Sequence, residues 1–220
     1  MEIATWEKEK EFWKKGYALV IGIDEAGRGP LAGPVVAAAA VLKERELAED
    51  KKLADDWRLV RDSKSLSILQ KKRAFQFVQE NFRVGVGIIS QQTIDRVNIL
   101  EATFLAMKSA LTDLKRSIKE TDLSKLLLVD GSQVISNFSG EQRAIKQGDK
   151  TVKSIAAASI VAKVTRDKIM KKYAFQYPQY GFEKHKGYGT KEHLEALKKY
   201  GPTPLHRFSF RPVKKLRKLS

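Results

Sequence analysis

The chain has 220 residues and 24.9 kDa, 42% of them apolar, which is enough to bury a core and excludes a disordered polymer. Its 42 Lys and Arg against 26 Asp and Glu give a formal charge of +16, a field that attracts polyanions, nucleic acid foremost. No cysteine is present, so disulfides and thiolate metal sites are excluded, and the longest apolar run, Pro34 to Leu42, is far shorter than the roughly 20 residues that span a bilayer.

Residues 4–16 read as a short charged helix carrying Trp6, Phe12 and Trp13. Tyr17 to Asp24 is an apolar run ending in acid, the pattern of a buried central strand. A turn rich in Gly and Pro leads to a second strand at Val35–Leu42, and 43–58 reads as a charged helical insert. A helix follows over about Ser67–Asn81, then a strand at Arg83–Ser90. Leu100, Phe104, Met107, Leu111, Leu114 and Ile118 alternate at spacings of four and three, which predicts a helix from Asn98 to about Ile118. Asn98 with Glu101 has the spacing of a capping box at its start. Leu126–Asp130 is another apolar run ending in acid, and Arg143–Gln147 is a short strand candidate. Thr151–Tyr177 reads as an alanine-rich helix stopped by Pro178, with Ala156, Ala157, Ala158 and Ala162 allowing close approach to a sheet. This order predicts an α/β or α+β sheet with helices on both faces.

Three apolar-to-polar transitions end in carboxylates: Asp24-Glu25, Asp130 and Asp149. Ligand sites of open sheets lie beyond strand ends, so these acids can converge although far apart in sequence. Carboxylates gathered without cationic partners repel one another, and Mg²⁺ or Mn²⁺ relieves that cost with oxygen ligands of this kind. In so basic a chain the substrate such ions meet is a phosphodiester. Singly, each acid is ordinary strand-end or turn chemistry; the combination carries the inference.

Gly22-Ile23-Asp24-Glu25-Ala26-Gly27-Arg28-Gly29-Pro30-Leu31-Ala32-Gly33-Pro34-Val35 resembles the opening signature of bacterial type 2 ribonuclease H, ribonuclease HII. Asp62-Ser63-Lys64, Asn98-Ile99-Leu100, Val129-Asp130-Gly131, Gly148-Asp149, Ala156 to Asp167, His185 to Thr190 and Ser209 to Val213 follow in the family's order, from about residue 18 to 215. The resemblance implies a ribonuclease H-like mixed five-stranded sheet flanked by helices, with a helical C-terminal extension. The expected division is 1–17 as an N-terminal helical extension, 18–177 as the catalytic domain and 178–220 as a substrate-binding extension.

The resemblance further implies an endonuclease acting 5′ of a ribonucleotide, in RNA/DNA hybrids and in duplex DNA holding single ribonucleotides, with a role in ribonucleotide removal. Its two-metal mechanism, with Mg²⁺ or Mn²⁺, would use Asp24, Glu25, Asp130 and Asp149 and leave a 3′-hydroxyl and a 5′-phosphate. Asp149 is preferred to Asp167 as the fourth acid, because Asp167 lies within a helix beside Arg166 and Lys168. Gly27-Arg28-Gly29 resembles the turn whose amides sense the 2′-hydroxyl, and Tyr188 the tyrosine that packs on the neighbouring sugar. Ser63, Lys64 and Asn98 resemble backbone contacts, with helix capping an equal account of Asn98. Lys163 and Arg166 read as facing the substrate or, preferably, as a solvated helix face. Residues 211–220 read either as a basic amphipathic helix, with Val213, Leu216 and Leu219 on one side, or as a charged tail. His185, His193 and His206 lack metal-site spacing and receive no ligand role.

Gly-Arg-Gly and a short segment before the first strand favour type 2 over type 3. A cytoplasmic monomer is expected, and a sliding-clamp or polymerase contact is not readable. The competing readings are a non-hydrolytic nucleic-acid-binding module of the same fold and a basic structural RNA-binding protein. The intact acids argue against both.

Overall fold

The computed structural model describes residues 4–118 and 124–217. In chain order these form α1 (Glu7–Lys14), β1 (Leu19–Ala26), β2 (Val35–Leu42), α2 (Ala54–Trp57), α3 (Ile68–Asn81), β3 (Phe82–Ile89), α4 (Gln91–Val97) and α5 (Ile99–Lys115). There follow β4 (Lys125–Asp130), β5 (Gln142–Ile145), α6 (Gly148–Thr151), α7 (Lys153–Gln176), α8 (Phe182–His185), α9 (Lys191–Tyr200) and α10 (Arg211–Arg217), with short 3₁₀ turns between.

The strands form one mixed sheet in the order β3-β2-β1-β4-β5. β2 runs antiparallel to β1 and β3, whereas β1, β4 and β5 are parallel. Side chains alternate between faces, and the two faces of β2 show it cleanly. Val35, Ala37, Ala39 and Val41 join Phe104, Met107 and Leu114 of α5 in one core, while Ala38, Ala40 and Leu42 join α3, α7 and Trp6 on the other. Small residues let α7 lie against the sheet: Ala156, Ala157, Ala158 and Ala162 are fully buried. Gly22 completes the fit, since a Cβ there would stand 2.1 Å from the Ser154 carbonyl carbon of α7.

The predicted strands and long helices are all present, with boundaries shifted by at most three residues. Local detail differs at two places and agrees at a third. A helix, α4, begins at Ser90, whose side chain accepts from the Thr93 N–H, in a stretch that carried no predicted element. The alanine-rich helix begins two residues later than expected, at Lys153, because Val152 is extended and bridges to Thr5, while Thr151 closes the separate short α6. Asn98 caps α5 through Oδ1 to the Leu100 and Glu101 N–H groups, and its own φ is +69°. Ile118 lies past the end of α5, and Leu219 lies outside the described residues.

The N-terminal helix is tied to the start of α7. Glu9 is fully buried and accepts the Ser154 N–H at 2.7 Å, capping α7 from another element. Burial pushes the Glu9 carboxyl up to about 7, opposed by that amide. At the other end of the chain, Val213 of α10 is buried and Leu216 packs on the same cluster as α9, while Arg211, Lys214 and Lys215 are exposed. No helix among the described residues is long and apolar enough to cross a membrane.

Candidate active site

Parallel pairing sets Ile23 of β1 beside Val129 of β4, so Asp24 and Asp130 follow at the ends of adjacent strands. Both have the parity that faces α7: Val20, Leu126 and Leu128 pack with Ile155 on that side. Asp24 lies at the side chain of Ser159 in α7 and accepts the Glu25 N–H at 2.7 Å. Asp130 Oδ1 accepts the Gly148 N–H at 2.7 Å, which brings the start of α6, and with it Asp149, to the end of β4. Gln147 enters that turn in the left-handed conformation, at φ +54°.

Asp24, Glu25, Asp130 and Asp149 all line one opening of about 490 Å³, together with Gly27, Arg28, Gly29, Ser63, Lys64 and Tyr188. Burial, then the charges of Glu25 and Asp130, hold the Asp24 carboxyl well above the usual range. Burial also raises Glu25, with Arg28 opposing and Asp130 adding. Asp149 is raised by burial and by Asp130 and Asp62, against Lys64 and Lys150. These are mutually repelling oxygen donors with, among the described residues, one direct cationic contact, Arg28 Nη1 to Glu25 Oε1 at 3.3 Å. Such a donor set suits a hard divalent cation. As the side chains are placed, no three acidic or histidine groups among the described residues are close enough to share one ion. One shared ion would require the carboxylates to move closer together.

Ten of the eleven residues proposed from sequence meet at this opening; Asn98 does not. Its side chain is occupied in capping α5. Asp167 pairs with Lys163 at 2.7 Å instead of joining the acids. Ser63 is buried and shares a 3.2 Å hydrogen bond with Ser159, while Lys64 is exposed at the rim beside Lys71. Tyr188, 45% exposed, stands beside Gly29, where an added Cβ would be 3.6 Å from its ring.

A family model for ribonuclease HII matches residues 21–213. The chain belongs to the ribonuclease HII family. It is 46% identical to a ribonuclease HII of Acholeplasma laidlawii over 220 residues, 99% of this chain and all of the relative. The solved ribonuclease H2 of Pyrococcus horikoshii OT3 matches with TM-score 0.69 and 27% identity, covering 91% of this chain and 98% of the other. Bst-RNase HIII in complex with Mn²⁺ matches with TM-score 0.72, covering 93% of this chain and 70% of the other. At 20% identity it shows a shared fold. The chain is thus a ribonuclease H, an endonuclease of RNA/DNA hybrids.

Two arginines depart from the expectation drawn from the sequence. Arg166 is 1% exposed, not on a solvated face, and donates to the carbonyls of Ala32, Pro34 and Lys186. Arg166 and its neighbour one turn back, Lys163, both border the opening. Arg207, fully buried, carried no sequence signal, because its partners lie more than 170 positions away. Asp95 of α4 was also unreadable: it accepts the N–H groups of Phe208 and Ser209 and the Ser209 hydroxyl, docking the Ser209–Val213 motif.

The three histidines meet behind the Tyr188 loop. His193 Nδ1 lies 2.9 Å from the Tyr188 carbonyl, so that nitrogen carries a proton and Nε2 accepts. His206 Nε2 donates to it at 3.0 Å, and His206 Nδ1 accepts the Thr203 N–H at 2.9 Å. The network is consistent with both rings neutral. Burial pushes His193 down to about 4 and His206 to about 3, from an ordinary value of 6.5. Below pH 6.5 the unfolded chain takes up protons that the folded rings refuse, so stability present above 6.5 is lost as pH falls toward 4. The expected loss is roughly 1.4 kcal/mol per pH unit for each ring. Thermal melts of wild type and His206→Gln between pH 7.5 and 4.5 check this; equal acid sensitivity in both would contradict it.

Proposed function

We propose that this enzyme hydrolyses the phosphodiester on the 5′ side of a ribonucleotide, leaving a 3′-hydroxyl and a 5′-phosphate. Its substrates are RNA/DNA hybrids and duplex DNA carrying single ribonucleotides, and its role is ribonucleotide removal in DNA repair and replication. The observation that carries the reading is the convergence of Asp24, Glu25, Asp130 and Asp149 with the Gly27–Gly29 turn and Tyr188 in one opening. Acids alone suit many phosphodiesterases; acids beside a glycine turn and an exposed tyrosine suit one that inspects a sugar.

Asp24, Glu25, Asp130 and Asp149 are the residues that would hold Mg²⁺ or Mn²⁺. When bound, such ions supply charge to an in-line displacement at phosphorus by water. Ser159 and the Glu25 amide orient the Asp24 carboxylate, and the Gly148 amide fixes one oxygen of Asp130. Lys64, Lys71 and Lys163 provide positive charge where the strand's phosphates would run. The division into a catalytic body and a C-terminal substrate-binding extension belongs to the same proposal, with the exposed Arg211, Lys214 and Lys215 on the duplex.

Removing the tyrosine tests the sugar-reading half. Tyr188→Ala should lower kcat/KM on a single-ribonucleotide duplex by about tenfold or more while leaving the divalent-ion dependence unchanged. Equal cleavage by wild type and variant would sink the assignment. End-labelled products that resist ligation for want of a 5′-phosphate would sink the proposed chemistry.

A further inference from the structure

Arg166 and Arg207 are buried, and among the described residues neither has a carboxylate within ion-pair distance. Burial lowers both, to about 10 and about 9, so both remain charged at neutral pH. A buried charge without a counter-ion is expensive unless its donors are satisfied, and here backbone carbonyls satisfy them. Arg166 reaches Pro34 O at 3.0 Å, Ala32 O at 3.1 Å and Lys186 O at 3.1 Å. Arg207 reaches Gly27 O at 2.6 Å, Arg28 O at 2.8 Å, Gly33 O at 3.0 Å and Pro34 O at 3.2 Å. Arg166 thus joins the glycine-rich turn to the segment leading into Tyr188, and Arg207 gathers the turn's own carbonyls.

The peptide plane turns this into a statement about the opposite side of the turn. In a trans peptide the carbonyl and the following N–H point in opposite directions, and the chain has no cis bond among the described residues. With Gly27 O and Arg28 O directed inward onto a buried guanidinium, the N–H groups of Arg28 and Gly29 face away from it, toward the opening. Neither donates a hydrogen bond among the described residues. Gly27 accommodates this at φ +99°, and a Cβ there would meet Arg166 Nε at 2.1 Å.

We infer that Arg166 and Arg207 are positioning residues that aim the Arg28 and Gly29 amides and the Tyr188 loop at the ribose, and so set discrimination between ribose and deoxyribose. The inference rests on the proposed reading of that turn as the sugar sensor. Five donors in a rigid plane are needed to hold so many carbonyls at once; a lysine keeps the charge and loses the fork.

The test is fluorescence anisotropy with a labelled duplex holding one ribonucleotide and its all-DNA counterpart, with Ca²⁺ replacing Mg²⁺ to slow cleavage. Wild type, Arg207→Lys, Arg166→Lys and Tyr188→Ala are compared below their melting transitions. In Arg207→Lys the preference for the ribonucleotide duplex should collapse toward parity, while affinity for the all-DNA duplex changes by less than about twofold. Arg166→Lys should do the same, and decides the matter if Arg207→Lys does not fold. A preference retained in these variants, or both affinities falling together, would overturn the inference alone. A wild type with no preference, or one that Tyr188→Ala leaves intact, would overturn the ribose reading beneath it.

Discussion

Asp24→Asn should abolish cleavage and, without divalent ions, raise the melting temperature. The substitution keeps the side chain's shape, and its carbonyl can still accept the Glu25 N–H that Asp24 Oδ1 holds at 2.7 Å. What it removes is a charge buried beside Glu25 and Asp130, which is why the carboxyl is held well above its ordinary range. An amide carries no such penalty, and its N–H groups have carboxylate neighbours to accept them. Relief of one buried like-charge contact is worth about 1–3 kcal/mol, or several degrees in a chain of this size. The same charge is what a dication needs, so the rate should fall on the order of 10³-fold or more. Adding Mg²⁺ should raise the melting temperature of wild type far more than that of the variant. Melting curves with and without Mg²⁺, beside a cleavage assay, check all three outcomes. A variant that is less stable without ions, or that still cuts, would contradict the placement of Asp24 in the ion-holding cluster.

Gly22→Ala is expected to have the largest effect on the fold. Gly22 lies two residues before Asp24 on the face of β1 covered by α7. A methyl group there would stand 2.1 Å from the Ser154 carbonyl carbon, 2.3 Å from the Ile155 nitrogen and 2.4 Å from the Ser154 oxygen. All three are backbone atoms of one helix, so no side-chain rotation relieves the clash and α7 itself must move. We expect a cost of about 3 kcal/mol or more, a fall of roughly 6–12 °C in melting temperature. Any folded remainder should cut poorly, because Ser159, the hydroxyl at Asp24, rides on the displaced helix. Calorimetry measures the first effect. An unchanged melting temperature would mean that α7 does not lie so close to β1.

These two positions also show what the sequence made legible. Asp24 and Asp130 could be found because an apolar run that stops at an acid marks a strand end, and parallel neighbours bring their ends together. The alanines of α7 announced a close helix–sheet contact for the same local reason: composition reports what a face can tolerate. Asp149 was legible as a third apolar-to-polar transition, but only the resemblance set it above Asp167, since its approach depends on the Gln147 turn and on the Gly148 amide meeting Asp130. Arg207 was not readable at all, and Arg166 was assigned to a solvated helix face in preference to the substrate side. An arginine on a helix surface and one that feeds a turn's carbonyls look alike until residues 27–34, 186 and 207 are brought together. The histidines fail for a similar reason, because spacings of eight and thirteen residues encode no contact. Asn98, in contrast, had two local accounts, and capping is the one its side chain performs.

The measurement that tests the account most directly is cleavage of a labelled DNA duplex containing one ribonucleotide, with Mg²⁺ or Mn²⁺, beside the all-DNA duplex and the Asp24→Asn variant. The account predicts one cut on the 5′ side of the ribonucleotide, lost with EDTA and in the variant, and none in the all-DNA duplex. Cleavage that ignores the ribonucleotide, or that survives in Asp24→Asn, would contradict it.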